Sequence, residues 1–280
     1  MRKTIGLAAA VLICVVPATA VAGEFSPYLP APGSGTMDFN FVHQNGPVLL
    51  FNDTPLQPWE SLELNSYLVS GTFGLTDKLA VDARIGYAES DFQGAAGGPI
   101  TGQDGLSDTA IGLRYRLVDE FEGAPLTVTV GASGILQGLY TPTTIDSIGE
   151  GASGAQVGVS FGKFLTEKLA VAAEVGGRFR FNRVPEEVFF STEISYTWNS
   201  RISTWAGVSL ANSLGGLDLG DPGVTFADFQ ALEEDTNLWH VGGALQLGKG
   251  VALTGSFGRK FEGRNTLLGN FFRTGLSYSF

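Results

Sequence analysis

The chain has little charge, very little lysine and no long hydrophobic run beyond its first 23 residues. Charged residues make up 16% of the 280 residues, against about 25% in an ordinary soluble domain. Because no later segment approaches about 20 consecutive apolar residues, a helical membrane protein is excluded. The net charge of −11 argues against nucleic acid as a partner, and the hydrophobic content of 44% argues against disorder.

The first 23 residues have the pattern of a secretory signal peptide that is removed after export. Arg2 and Lys3 precede an apolar run over residues 5–16, and small residues suited to cleavage follow it. The single cysteine, Cys14, lies within this run. The mature chain is therefore expected to have neither a disulfide nor thiol chemistry.

Alternation of apolar and polar side chains predicts twelve β-strands in the rest of the chain. The predicted strands are 36–44, 61–74, 79–88, 108–117, 125–137, 155–164, 169–182, 187–198, 202–212, 236–247, 251–261 and 268–280. Mostly short turns join them at one rim and mostly longer loops at the other, as in outer-membrane barrels with their long loops outside. We predict an all-β, antiparallel transmembrane barrel over residues 36–280, and the proline-rich residues 24–35 are a candidate plug for its lumen.

Arginine decides which face of the strands meets lipid. Each arginine turned to lipid at mid-depth would cost about 2–4 kcal/mol, and five lie on the polar faces, so together they would exceed a typical folding free energy. The predicted lumen-lining residues are Asp82, Arg84, Arg114, Arg116, Glu174, Arg178, Arg180, Glu193, His240 and Arg273. A soluble barrel or sandwich is the alternative, but its surface would be expected to carry many lysines, and the chain has six.

The loops and the lumen are predicted to differ in charge. The outer loops hold seventeen acidic residues and two basic ones, Arg183 and Arg264, whereas the lumen set leans basic. One interpretation is an acidic vestibule above an arginine wall, which attracts cations at the entrance and disfavours them deeper inside. The other is that the rim acids bind divalent ions among lipopolysaccharides, while the lumen charges pair across strands and fill the space. The sequence leaves both open.

The last strand carries a pattern of alternating apolar residues that ends on an aromatic residue. Its outward members are Phe272, Thr274, Leu276, Tyr278 and Phe280. This pattern resembles the C-terminal signal that the barrel assembly machinery of Gram-negative bacteria reads. The resemblance implies that Phe272, Leu276, Tyr278 and Phe280 act as an assembly signal, with the assembly machinery as a partner.

A second resemblance covers most of the mature chain. It rests on the run Leu29–Gly35, the strand–turn–strand motif around Phe73–Asp82, and Gly105–Asp108 followed by Ile111–Tyr115. These motifs resemble the outer-membrane family associated with the MetA pathway of phenol degradation, which is similar to the long-chain fatty-acid transporters. The resemblance implies passage of small aromatic or hydrophobic compounds. The long N-terminal hatch of the fatty-acid transporters is missing here.

Catalytic and metal-binding candidates are few. The chain has two histidines, His43 and His240, on predicted strands far apart in sequence, so no metal site and no cofactor are predicted. A lipid-modifying barrel enzyme would use a histidine with a serine or an aspartate, and the nearest remnant is His43 close to Asn40; the chain is predicted not to be an enzyme. The carboxylate runs at 186–187 and 233–235 are interpreted as solvated loop groups, since no apolar pocket is predicted beside them.

The number of strands limits the width of the lumen. Eight strands are filled by their own side chains and sixteen leave a water channel, so twelve predict a narrow or plugged lumen. The leading function is a passive outer-membrane channel for small molecules, with membrane lipid, lipopolysaccharide and the solute as partners. The alternatives are a non-conducting structural or receptor-like barrel that acts through its acidic loops, and a lipid-modifying enzyme.

Overall fold

The computed structural model describes residues 26–56, 61–93, 100–142 and 146–280. Twelve long antiparallel strands form a closed barrel, and two short strands extend it at one end. The strands are β1 (Gly35–Phe51), β2 (Thr54–Leu56), β3 (Ser61–Thr76), β4 (Leu79–Gln93), β5 (Ile100–Leu106), β6 (Thr109–Val118), β7 (Thr127–Leu136), β8 (Gly154–Phe164), β9 (Leu169–Arg180), β10 (Glu187–Asn199), β11 (Ile202–Ser213), β12 (Asp235–Gly248), β13 (Val251–Arg264) and β14 (Leu267–Ser279).

Two 3₁₀ turns, Glu120–Glu122 and Phe226–Ala231, complete the described elements. Neither helix is long and apolar enough to cross a bilayer. The predicted signal peptide lies outside the described residues.

The barrel closes where the last strand pairs with the first. The pairing of β1 with β14 runs from Thr36 opposite Ser279 to Leu49 opposite Leu267. At the seam the backbone of Gly35 donates to Phe280 and accepts from it, both at 3.0 Å. Each long strand that the structure describes therefore has hydrogen-bonded neighbours on both sides, as closure of a barrel requires.

The twelve predicted strands match the twelve long strands to within a few residues at most ends, although β1 extends seven residues further, to Phe51. The two short strands were not predicted. They fall in the predicted loops 45–60 and 89–107, where β2 pairs with the end of β1 and β5 pairs with the end of β4. Beyond the lipid, alternation is no longer imposed on a strand, and the run of β5, ITGQDGL, shows none.

The two faces of the barrel are the reverse of those of a soluble protein. Outward side chains such as Ile111 and Leu113 are apolar and 59% and 51% exposed. Inward side chains such as Thr129 and Gln156 are polar and fully buried. This is the arrangement that a barrel needs if lipid surrounds it and its lumen is polar.

Candidate functional site

The candidate site is the lumen, which has one end at the short turns and the other at the long loops. The short turns include Asp77–Lys78 and Lys249–Gly250, and the start of β1 and the end of β14 lie at the same end. We call the two ends the short-turn end and the long-loop end. Different side chains fill each of them.

Near the short-turn end, the buried Arg114 on β6 pairs with the partly buried Asp82 on β4. The Arg114 guanidinium donates from Nε to Oδ2 of Asp82 at 2.7 Å and from Nη2 to Oδ1 at 2.8 Å. The Thr72 hydroxyl also donates to Oδ1 of Asp82 at 2.6 Å. The remaining arginine nitrogen, Nη1, donates to the backbone carbonyl of Ser26 at 2.7 Å. The pair thus binds the segment that precedes the first strand.

This segment, residues 26–34, contacts the far wall of the lumen. The Thr129 hydroxyl on β7 donates to the Pro27 carbonyl at 2.7 Å, and the Tyr28 hydroxyl donates to Glu120 Oε1 at 2.9 Å. At Gly162 on β8, a Cβ would lie 2.7 Å from both Pro27 and Tyr28. In the ring of twelve, β7 and β8 are the fifth and sixth strands, so the chain crosses the lumen to reach β1.

In the middle of the barrel, polar side chains pair across the inner face. Arg273 Nε donates to Asn40 Oδ1 at 2.9 Å, and His240 Nε2 lies 3.3 Å from Glu193 Oε2. Both Arg273 and His240 are buried, as is Glu174. These contacts place paired polar side chains on the inner face at this level.

His43 does not approach Asn40, so the proposed enzyme remnant is wrong. Residues three apart on a strand point to opposite faces. His43 pairs on the outer face with Asn65, at 2.9 Å, whereas Asn40 is buried inside with Arg273. Within the described ranges, no group of three His, Cys, Asp or Glu side chains is placed to hold a metal ion.

Towards the long-loop end the lumen contains a cavity of about 360 Å³. One wall comes from β1, β3 and β14 and is uncharged and mainly apolar. Its apolar members are Val42, Leu62, Leu64, Leu68, Leu267 and Phe271, and its polar members are Gln44, Asn45, Ser66 and Asn270. The facing wall comes from β9 and β10 and carries charge. There Arg178 donates to Glu187 Oε2 at 2.7 Å, and Arg180 donates to Asp108 Oδ2 at 2.8 Å.

The walls face each other because of the strand order. In the closed ring, β14, β1 and β3 are consecutive neighbours, and β9 and β10 are the seventh and eighth of the twelve strands. The apolar and charged walls therefore lie across the lumen from one another.

A long loop between β11 and β12 folds against the cavity and is fixed by specific bonds. In this loop, Asp218 accepts from Arg264 Nε at 2.8 Å, and Glu233 accepts from Arg264 Nη1 at 2.9 Å. The side chain of Asn265 joins the same cluster and donates to the Glu233 carbonyl at 2.9 Å. The Arg264 guanidinium holds the pKa of Asp218 below its ordinary value.

The interpretation of residues 186–187 and 233–235 as solvated carboxylates is wrong for three of them. Glu187 is paired with Arg178 and lines the cavity, and Glu233 is paired with Arg264. Glu234 lines the cavity and accepts from the Thr266 hydroxyl at 2.5 Å. Burial raises the pKa of Glu234, and it raises the pKa of Glu150 in the loop between β7 and β8.

The acids that pair with the lumen arginines lie only partly within the predicted lumen set. Arg114 pairs with Asp82, which belongs to that set. Arg178 and Arg180 pair with Glu187 and Asp108, which are predicted to lie in the outer loops. Both acids could have been found from the strand pattern. Glu187 has the same parity as Glu193 on β10, and Asp108 has the same parity as Arg114, so each belongs to its strand's inner face.

Two further arginines were assigned to the lumen. Arg84 lines the cavity, and Arg116 pairs with Asp119 at 2.7 Å in the turn after β6. Arg116 therefore belongs to the short-turn end.

The residues of the C-terminal pattern share the outer face. Phe272, Leu276, Tyr278 and Phe280 are each about half exposed. The ring of Phe280 stacks on that of Phe73 on β3, with centroids 6.4 Å apart. The pattern thus ends at the seam of the barrel.

Comparison with solved structures shows the fold. The chain is similar to an outer membrane channel from Pseudomonas putida F1, with 16% identity and a TM-score of 0.67 over 92% of this chain and 98% of that one. It is similar to the translocator domain of the autotransporter NalP from Neisseria meningitidis, with 14% identity and a TM-score of 0.57 over 89% and 90%. It is also similar to the KdgM porin, with 11% identity and a TM-score of 0.52 over 88% and 99%.

No protein-family model matches the chain, and no curated protein matches it. The resemblance to the phenol-degradation family therefore stays a prediction. The feature that the chain shares with these solved structures is the closed barrel of an outer-membrane protein.

Proposed function

We propose that this chain is an outer-membrane channel through which small molecules diffuse passively. The observation that carries the proposal is a partly open cavity of about 360 Å³ inside a barrel whose outer face is apolar. That volume is at the lower end of the range for small-molecule sites, about 300–1,000 Å³. The fold shared with the Pseudomonas putida channel supports the same function.

The second part of the proposal concerns the N-terminal segment. Residues 26–34 are bound by the β6–β7 hairpin, through Arg114 on β6, Thr129 on β7 and Glu120 in the turn that joins these two strands. We propose that this segment plugs the short-turn end and that a solute passes when the segment shifts. The lumen charges then act in pairs, which favours the second of the two electrostatic interpretations over a bare arginine wall.

Conductance in a planar lipid bilayer tests this function. The refolded chain of residues 24–280 is compared with a truncated chain that begins at Gly33, both shown to be folded by heat-modifiable mobility. We expect small conductance steps from the first and clearly larger ones from the second. If both folded proteins are silent, the channel proposal fails; if both conduct equally, the plug fails and the channel stands.

A second candidate is a non-conducting barrel that works through its loops. One observation favours it: residues 214–234 are held in a defined conformation by Arg264 and Asn265, and a fixed surface suits recognition. Deletion of this loop from a barrel that still folds tests the alternative. Loss of a cell-surface phenotype together with a silent barrel would support it over the channel.

A further inference from the structure

The cavity at the long-loop end presents two different chemistries to whatever enters it. On one side Leu64 and Leu68 of β3, with Phe271 of β14, present apolar side chains, and Ser66 lies between the two leucines. Across the lumen, Arg178 and Arg180 present guanidinium groups that already bind carboxylates, Glu187 and Asp108. A molecule that satisfies both walls needs an apolar body and a polar head.

The described lining residues include basic and acidic groups in equal number. The basic groups are Arg84, Arg178, Arg180 and Lys260, and the acidic groups are Asp108, Glu150, Glu187 and Glu234. Two of the acids, Glu150 and Glu234, come from the loops and have a raised pKa, because burial penalises their charged forms. A raised pKa favours the neutral form of each acid, which lowers the negative charge of the lining relative to its four basic groups.

We propose that this cavity binds small organic monoanions that carry an apolar body, such as an aromatic or cycloalkyl carboxylate. The ring packs against Leu64, Leu68 and Phe271, and the carboxylate faces Arg178 and Arg180. Guanidinium groups match carboxylates well because they donate parallel, charge-assisted hydrogen bonds. The inference rests on the proposed channel function, since it names the class of molecule that the channel takes up.

Binding is measured on the folded chain of residues 24–280 in detergent micelles by isothermal titration, against the same micelles without protein. The probes are benzoate, cyclohexanecarboxylate, benzyl alcohol, benzylammonium and acetate. We expect the two ring carboxylates to bind at least tenfold tighter than the other three. Acetate lacks the apolar body, benzyl alcohol lacks the charge, and benzylammonium carries the opposite charge.

Substitutions in each wall measure how much that wall contributes to benzoate binding. Leu64→Asn is expected to weaken benzoate binding at least tenfold, whereas the same change at Leu214, an exposed loop position, leaves it unchanged. On the charged wall, the double variant Arg178→Gln with Glu187→Gln removes an ion pair without altering the net charge. It is expected to weaken benzoate at least tenfold and to leave benzyl alcohol unaffected.

Two results would overturn the inference: benzoate binding no tighter than benzyl alcohol, or benzoate binding insensitive to both wall variants. The binding assay does not depend on conductance, so failures of the two proposals are distinguishable. Binding by a barrel that never conducts contradicts the channel and keeps the site. A conducting barrel without ring-carboxylate binding contradicts the site alone.

Discussion

Arg114 and Asp82 form a two-pronged pair inside the barrel, with donor–acceptor distances of 2.7 and 2.8 Å, and the Arg114 side chain is only 3% exposed. The pair joins β4 to β6 and also holds the carbonyl of Ser26. One buried contact therefore stabilises the wall and retains the N-terminal segment at the same time.

Removal of one partner of this pair should be costly. Arg114→Met leaves the Asp82 carboxylate, which is 21% exposed, without its cation inside the barrel. We therefore expect the free energy of unfolding to fall by about 3–5 kcal/mol. Urea unfolding of the refolded barrel measures it. Arg183→Met is the control, because Arg183 is 68% exposed and 3.8 Å from Asp228, and a surface pair contributes about 0–1 kcal/mol. Equal losses for the two variants would contradict the prediction.

A larger side chain at the position that contacts the N-terminal segment should displace this segment. Gly162→Val places side-chain atoms where Pro27 and Tyr28 now lie, since even a Cβ would come within 2.7 Å of both. We expect faster proteolysis of residues 26–34 and a conductance close to that of the chain truncated at Gly33. Gly134→Val is the matched control, since a Cβ there meets nothing within 4 Å. Unchanged proteolysis of the Gly162 variant would argue that the segment binds elsewhere.

The loop carboxylate Glu150 should make the long-loop end sensitive to pH. Between its ordinary pKa of 4.5 and its raised value in the fold, the folded chain holds a proton that the unfolded chain has lost. Stability therefore falls as pH rises through this interval. The charged groups that act on Glu150 are Arg180, Glu187, Arg178, Asp108 and Glu234.

Hydrogen exchange of residues 146–153 at pH 5 and pH 8 tests this dependence. We expect faster exchange at the higher pH, beyond the intrinsic rate of the amides, and loss of that difference in Glu150→Gln. Glu186→Gln is the control, because Glu186 is exposed in a neighbouring loop. A pH dependence that persists in Glu150→Gln would assign it to another group.

The C-terminal aromatic residue should matter for assembly more than for stability. Phe280→Ser removes a ring that is 52% exposed and stacks on Phe73. We expect a several-fold lower level of the protein in the outer membrane of cells, with refolding from urea into detergent nearly unchanged. Leu247→Ser is the control, since Leu247 is a similarly exposed apolar residue on β12 that also lies near the short-turn end of the barrel. An equal fall in cellular level for both variants would contradict the assembly signal.

The spanning strands could be predicted because lipid imposes a strict alternation on them. Arg178 and Glu187 illustrate what alternation leaves out: they are direct cross-strand partners, and their pairing follows only from the register between β9 and β10. The pair of Arg180 with Asp108 joins residues 72 positions apart and requires the three-dimensional fold of the barrel.

Composition singled out the proline-rich N-terminal segment but could not place it. Its contacts with Arg114 and Thr129 depend on a chain direction that no local pattern encodes. By contrast, the error over His43 and Asn40 was avoidable, because a spacing of three on a strand already separates their side chains.

The reciprocal bonds between Gly35 and Phe280 make the position of the chain ends in the ring arbitrary. A circular permutant, with a linker from Phe280 to Gly35 and new termini in the Lys249–Gly250 turn, would keep every strand beside its present neighbours. The last strand of the permutant would be β12. Residues 26–34 would be absent from the permutant, because the linker joins Phe280 directly to Gly35. The order of strands in the ring and the order in which the chain presents them are thus separable properties of this protein.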